Sequence, residues 1–85
     1  MEIRLNDDAK KDLVYWKNKK NEKILKRIKD LIQSISETPF SGIGKPEPLK
    51  HNLSGLWSRR IDNEHRIIYE IKQNAIQIHS LKGHY

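Results

Sequence analysis

The chain has no cysteine, which excludes disulfides, thiolate zinc sites and cysteine nucleophiles together. No apolar run approaches the roughly 20 residues a membrane-spanning helix needs. The first residues, Met1-Glu2-Ile3-Arg4-Leu5-Asn6-Asp7-Asp8, lack the apolar segment of a signal peptide, so a soluble cytoplasmic protein is expected. Hydrophobic residues make up only 35% of 85 positions, which suits one domain over residues 1–85 with one modest core. No internal repeat or low-complexity tract interrupts it. Acidic residues are in deficit: 11 Asp and Glu face 17 Lys and Arg, for a formal charge of +6. That surplus favours a polyanionic partner such as nucleic acid, because neutralising phosphates releases their condensed counterions.

Proline and glycine are scarce and unevenly placed. All three prolines and three of the four glycines fall between Pro39 and Gly55. Long structureless segments are uncommon in small domains and often functional, so this one is the first place to look for a site.

The rest of the chain reads as regular structure. Ile3 and Leu5 alternate with Glu2 and Arg4, as in a short half-buried strand. Asn6 is placed to cap a helix, with Asp7 and Asp8 in the first turn and Ala9, Leu13 and Trp16 on one face. Asn21 is placed to cap a second helix, in which Ile24, Leu25, Ile28, Leu31, Ile32 and Ile35 form a continuous stripe. Its charged side, with Lys23, Lys26, Arg27, Lys29 and Asp30, reads as a solvated face. Pro39 ends that helix. Strands are expected over 56–62, 65–72 and 75–82, joined by Asp62-Asn63-Glu64 and Gln73-Asn74. Alternation puts Trp57, Arg59 and Ile61 on one face and Ser58 and Arg60 on the other. The expected fold is α+β: a short N-terminal strand and two helices packed on one face of a small antiparallel sheet.

Glu47 lies between Pro46 and Pro48, which stiffen the backbone and hold the carboxylate in an extended, exposed segment. It reads equally as a turn residue or as a general base towards a ribose 2′-hydroxyl. Lys50, Arg59, Arg60 and Arg66 are candidates for a phosphate clamp, with the alternative that each is a solvated cation. Of the histidines at 51, 65, 79 and 84, none fits a metal-ligand spacing. His65 and His79 belong to strands and read as structural. His84 and Tyr85 end the chain; a docked terminus would offer an acid for a leaving 5′-oxygen and a ring to stack on a base. Together these pieces suit metal-independent RNA cleavage.

The run from Lys45 to Gly55, with Trp57-Ser58-Arg59-Arg60-Ile61, Glu64-His65-Arg66 and the terminal His84-Tyr85, closely resembles the YoeB (Txe/YoeB) toxins of the RelE/ParE superfamily. Thr38-Pro39-Phe40 and Tyr15-Trp16 extend the likeness over essentially the whole chain. The resemblance implies the toxin of a type II toxin–antitoxin pair: an endoribonuclease that cuts mRNA in the ribosomal A site and needs no cofactor. It implies Glu47 as general base, His84 as general acid and Arg66 as transition-state stabiliser. Lys50, His51, Arg60 and Tyr85 would place the substrate. The implied products are a 2′,3′-cyclic phosphate and a 5′-hydroxyl. The implied partners are a YefM-like antitoxin, the 70S ribosome with its mRNA, operator DNA through the antitoxin complex, and a second copy in a homodimer. One departure stands near the site: Lys82-Gly83 replaces the bulkier Arg-Tyr pair common in relatives, which suggests a freer tail. The competing readings are a ParE-like gyrase inhibitor and a non-catalytic nucleic-acid-binding module on the same fold.

Overall fold

A computed structural model of the chain describes residues 1–83; the expectations for His84 and Tyr85 lie outside the described residues. Strand β1 (Glu2–Leu5) leads into helix α1 (Asp7–Asn18) and helix α2 (Glu22–Glu37). A long loop then gives the short strand β2 (Glu47–Pro48) and a 3₁₀ turn at His51–Leu53, before β3 (Trp57–Arg60), β4 (Arg66–Lys72) and β5 (Ala75–Ser80). The sheet order is β1-β5-β4-β3-β2. The last three strands form the expected meander, with β3, β4 and β5 antiparallel in turn. β1 joins it parallel to β5, so the sheet is mixed rather than wholly antiparallel. Among the described residues no helix is long and apolar enough to cross a membrane.

The helix α2 stripe supplies Ile24, Ile28, Leu31 and Ile35 to the core. Burying these four side chains contributes on the order of 6–12 kcal/mol, an upper figure because unfolded chains already bury some surface. They pack with Ala9 and Trp16 of α1 onto Ile67, Tyr69, Ile76 and Ile78 of the sheet. All the helical packing is therefore on one sheet face, as the two-residue alternation requires. Asn21 caps α2 as expected, its Oδ1 accepting from the Ile24 N–H at 3.1 Å. Asn6 does not cap α1 through its side chain. That amide instead bonds His79 Nδ1 at 3.1 Å and the Gln77 side chain, joining the start of α1 to β5. Gln73 and Asn74 both have positive φ (53° and 58°), matching the two-residue primed turn favoured between twisted strands.

The segment read as structureless is partly ordered by the sheet. Glu47 pairs with Ser58 and Pro48 with Trp57, and the Leu49 N–H donates to the Leu56 carbonyl at 2.9 Å. As an edge strand of two residues, β2 tolerates the missing N–H of Pro48.

Candidate functional site

The strand register sorts the candidate residues by face. Glu47 lies opposite Ser58, which lies opposite Ile68, and Arg60 lies opposite Arg66. Directly opposed residues share a face. These side chains therefore all belong to the face away from the helices, while Pro48, Trp57 and Tyr69 form the next row on the covered face. Ser58 and Ile68 are buried and make the floor. Glu47 and Arg60 are exposed and Arg66 is half-buried. With strands about 4.8 Å apart and about 3.4 Å per residue, the Glu47 and Arg66 Cα atoms are roughly 12 Å apart. Side chains reaching inwards from both ends of that span can hold one phosphodiester between them.

The loop that carries Glu47 is constrained on either side. Lys45 and His51 adopt left-handed backbone conformations (φ 52° and 59°) that residues with a Cβ seldom occupy. Lys50 and His51 are exposed at the start of the 3₁₀ turn, just beyond the β2–β3 pairing. Further back, Gly44 approaches the core so closely that a Cβ there would stand 2.7 Å from the Leu31 side chain. Its carbonyl accepts the Arg60 N–H at 2.6 Å.

Arg66 is aimed by the β3–β4 connection. Its Nη1 donates to the carbonyls of Asp62 (2.8 Å) and His65 (3.1 Å). The Asp62 carboxylate shapes that turn by accepting the backbone N–H groups of Glu64 (2.8 Å) and His65 (2.7 Å). Burial would raise the Asp62 carboxyl, but those two hydrogen bonds and the nearby Arg66 charge hold it below the usual range.

The end of the described chain is tied down beside Arg66. Leu81 donates its N–H to the Asp12 carboxylate (2.9 Å) and accepts from the Trp16 indole (2.9 Å). The Lys82 ammonium lies 4.2 Å from the centroid of the Tyr15 ring. Gly83 donates to His65 Nδ1 (2.9 Å) and accepts the Arg66 N–H (2.8 Å). Its φ of +76° is one that glycine adopts without strain. The Lys82-Gly83 departure therefore does not loosen the chain at these two positions. Gly83 is thereby held next to Arg66.

Arg59 is removed from the phosphate clamp. It is 0% exposed and points into the helix-covered layer. All five guanidinium N–H groups are used: Nε on the Tyr69 hydroxyl, Nη1 on Ser34 Oγ and the Ile43 carbonyl, and Nη2 on the Thr38 and Ser41 carbonyls. The Tyr69 hydroxyl in turn donates to the Pro39 carbonyl (2.6 Å). Burial raises the Tyr69 phenol above its ordinary value, partly opposed by Arg59. Arg59 thus folds residues 38–43 onto the sheet and has no donor left for a substrate. His79, read as structural, bonds the Glu70 carboxylate at 2.6 Å and Asn6. No three His, Asp or Glu side chains gather into a metal-binding group among the described residues.

Sequence reasoning missed the roles of Asp12, Trp16 and His65. The signal for Trp16 was only that of a core aromatic, and backbone acceptors and donors leave no pattern to find.

Comparison with known proteins agrees with this architecture. A family model described as YoeB-like toxin of bacterial type II toxin-antitoxin system matches residues 5–85. The chain is 44% identical to Toxin YoeB of Escherichia coli K12 over 85 residues, covering 100% of both chains. Among solved structures it is similar to the YoeB/ParE toxin from Agrobacterium tumefaciens, at TM-score 0.94 and 34% identity, with 100% of each chain covered. It is also similar to YoeB in a YoeB-YefM complex and in a YoeB dimer from Staphylococcus aureus. Those two match at TM-scores of 0.90 and 0.91 and identities of 43% and 42%, covering 100% of this chain and 98% of theirs. By sequence and by fold, the chain belongs to the YoeB family of toxins from bacterial type II toxin–antitoxin systems.

Proposed function

We propose that the chain is a ribosome-dependent endoribonuclease that cleaves mRNA in the ribosomal A site and so stops translation. The observation that carries this reading is the shared face of Glu47, Arg60 and Arg66, with the chain's end leaving from beside Arg66. Glu47 takes the proton of a ribose 2′-hydroxyl, and the freed oxygen attacks the adjacent phosphorus. Arg66, already oriented by two carbonyls, stabilises the charge that builds on the phosphate oxygens. His84 protonates the departing 5′-oxygen, leaving a 2′,3′-cyclic phosphate and a 5′-hydroxyl. Lys50, His51 and Arg60 place the backbone, and Tyr85 stacks on a base. General acid and general base each typically supply 10²–10⁴-fold. The step needs no metal.

The Staphylococcus aureus relative forms a YoeB-YefM complex and a dimer. By extension this chain acts in the cytoplasm, is held inactive by a YefM-like antitoxin, reaches operator DNA through that complex, and pairs with a second copy.

The test maps mRNA 5′ ends in a purified translation reaction with and without ribosomes. Cuts at A-site codons that need ribosomes support the reading. Inhibition of gyrase without any cut would replace it with the ParE-like one. Deleting His84-Tyr85 should abolish cleavage while the protein still folds.

A further inference from the structure

His65 is the joint between two parts of the site, and we propose that it is the positioning residue that fixes Gly83, the residue before the proposed general acid, beside Arg66. Its ring Nδ1 accepts the Gly83 N–H at 2.9 Å, one residue before His84. Its carbonyl accepts from the Arg66 guanidinium at 3.1 Å. One residue therefore fixes the direction of the guanidinium and the point from which the tail departs. The inference rests on the reading of His84 as general acid.

The joint is itself rigid. The His65 ring stands edge-on to Trp16, centroids 4.9 Å apart at 78°. Its backbone N–H is taken by Asp62, and its carbonyl also accepts the Ile61 N–H at 2.9 Å. Trp16 holds the Leu81 carbonyl through its indole, so the aromatic that supports His65 also supports the tail two residues before Gly83. Asp12 completes the set from the same helix. The N–H and carbonyl of Leu81, and the N–H and carbonyl of Gly83, are all engaged. A tail held at alternate residues cannot slide along the sheet.

To accept from Gly83, the imidazole must keep the Nδ1 lone pair, so the ring is neutral with its proton on Nε2. Nε2 faces the Glu64 carboxylate at 3.9 Å. This tautomer gives the acceptor its function, and a ring without a nitrogen there cannot substitute. Displacing a catalytic group by about 1 Å can cost on the order of 10²-fold in rate.

Two substitutions separate positioning from packing. His65→Phe keeps a ring against Trp16 but has no acceptor. His65→Asn offers an acceptor oxygen at the Nδ1 distance but no ring. Single-turnover cleavage on programmed ribosomes is expected to fall about 10- to 100-fold in His65→Phe, with ribosome binding unchanged, and to recover most of that loss in His65→Asn. Melting temperature should rank the other way, Phe above Asn. Amide hydrogen exchange at Gly83 should accelerate in His65→Phe and stay slow in His65→Asn. Wild-type cleavage by His65→Phe, or rates that follow melting temperature, would overturn the proposal, as would Gly83 exchange that ignores the acceptor. If the wild type cuts no mRNA, the endoribonuclease reading fails, and the exchange measurement still decides whether His65 anchors the tail.

Discussion

Arg59 and Arg60 are adjacent on β3 and occupy opposite layers. Arg59 spends all five donors on protein oxygens beneath the helices, while the Arg60 side chain remains exposed on the face that carries Glu47 and Arg66. The chain thus uses the same residue type for two incompatible tasks one position apart. A buried guanidinium must be fully hydrogen-bonded to be tolerated, which fixes its surroundings. A substrate-binding guanidinium must keep donors free, which leaves its surroundings adaptable. Under the proposed reading, the covered face therefore carries stability and the far face carries chemistry.

That division can be broken experimentally from either side. Glu47→Ala should lower the cleavage rate by about 10²–10⁴-fold while moving unfolding free energy by less than about 0.5 kcal/mol; parallel rate and urea measurements decide it. Loss of fold with loss of rate would mean that the far face is structural too. Arg59→Met should do the reverse, destabilising by about 3 kcal/mol as the Thr38, Ser41 and Ile43 carbonyls lose their donors. Antitoxin binding and cleavage should survive in whatever fraction folds. Arg60→Ala is expected to act more gently, weakening ribosome binding severalfold and making it less salt-dependent, with no change in melting temperature.

Two pH effects sharpen the same contrast. The Tyr69 phenol is held above its ordinary value, so its share of stability is present below about pH 10 and fades as pH rises through the folded value. Tyr69→Phe should flatten the alkaline limb of a stability–pH curve. Asp62 has the opposite sign: its folded value is depressed, so its contribution is present above about pH 4 and fades as pH falls through the folded value. Asp62→Asn should flatten the acid limb, and this is the smallest effect of the series because the side chain is largely exposed.

Most of the fold was legible because local rules sufficed. The α2 stripe, the Asn21 cap and the Gln73-Asn74 turn each depend on residues close in sequence. Alternation had even put Arg59 with Trp57 and Ile61 on the apolar face. Its charge argued for a surface role, and the loop carbonyls that receive it have no side-chain signature. Asn6 does stand at the N-cap of α1, but its side chain found other partners 71 and 73 positions away. The exposure of Glu47 followed from its flanking prolines. Its place on the same far face as Arg66 depends on strand register, which the residues between them do not encode locally.

The parallel pairing of β1 with β5 has a consequence for how the protein is made. Residues 2–5 are made well before their partners at 75–78. Trp16 and Asp12 likewise wait for Leu81. A nascent chain that has not yet reached residue 75 has an unpartnered first strand and no Leu81 for Trp16 and Asp12 to hold. Contacts this distant in sequence form late and slowly. Under the proposed reading, the chain cannot cut mRNA before residues 75–84 have been made.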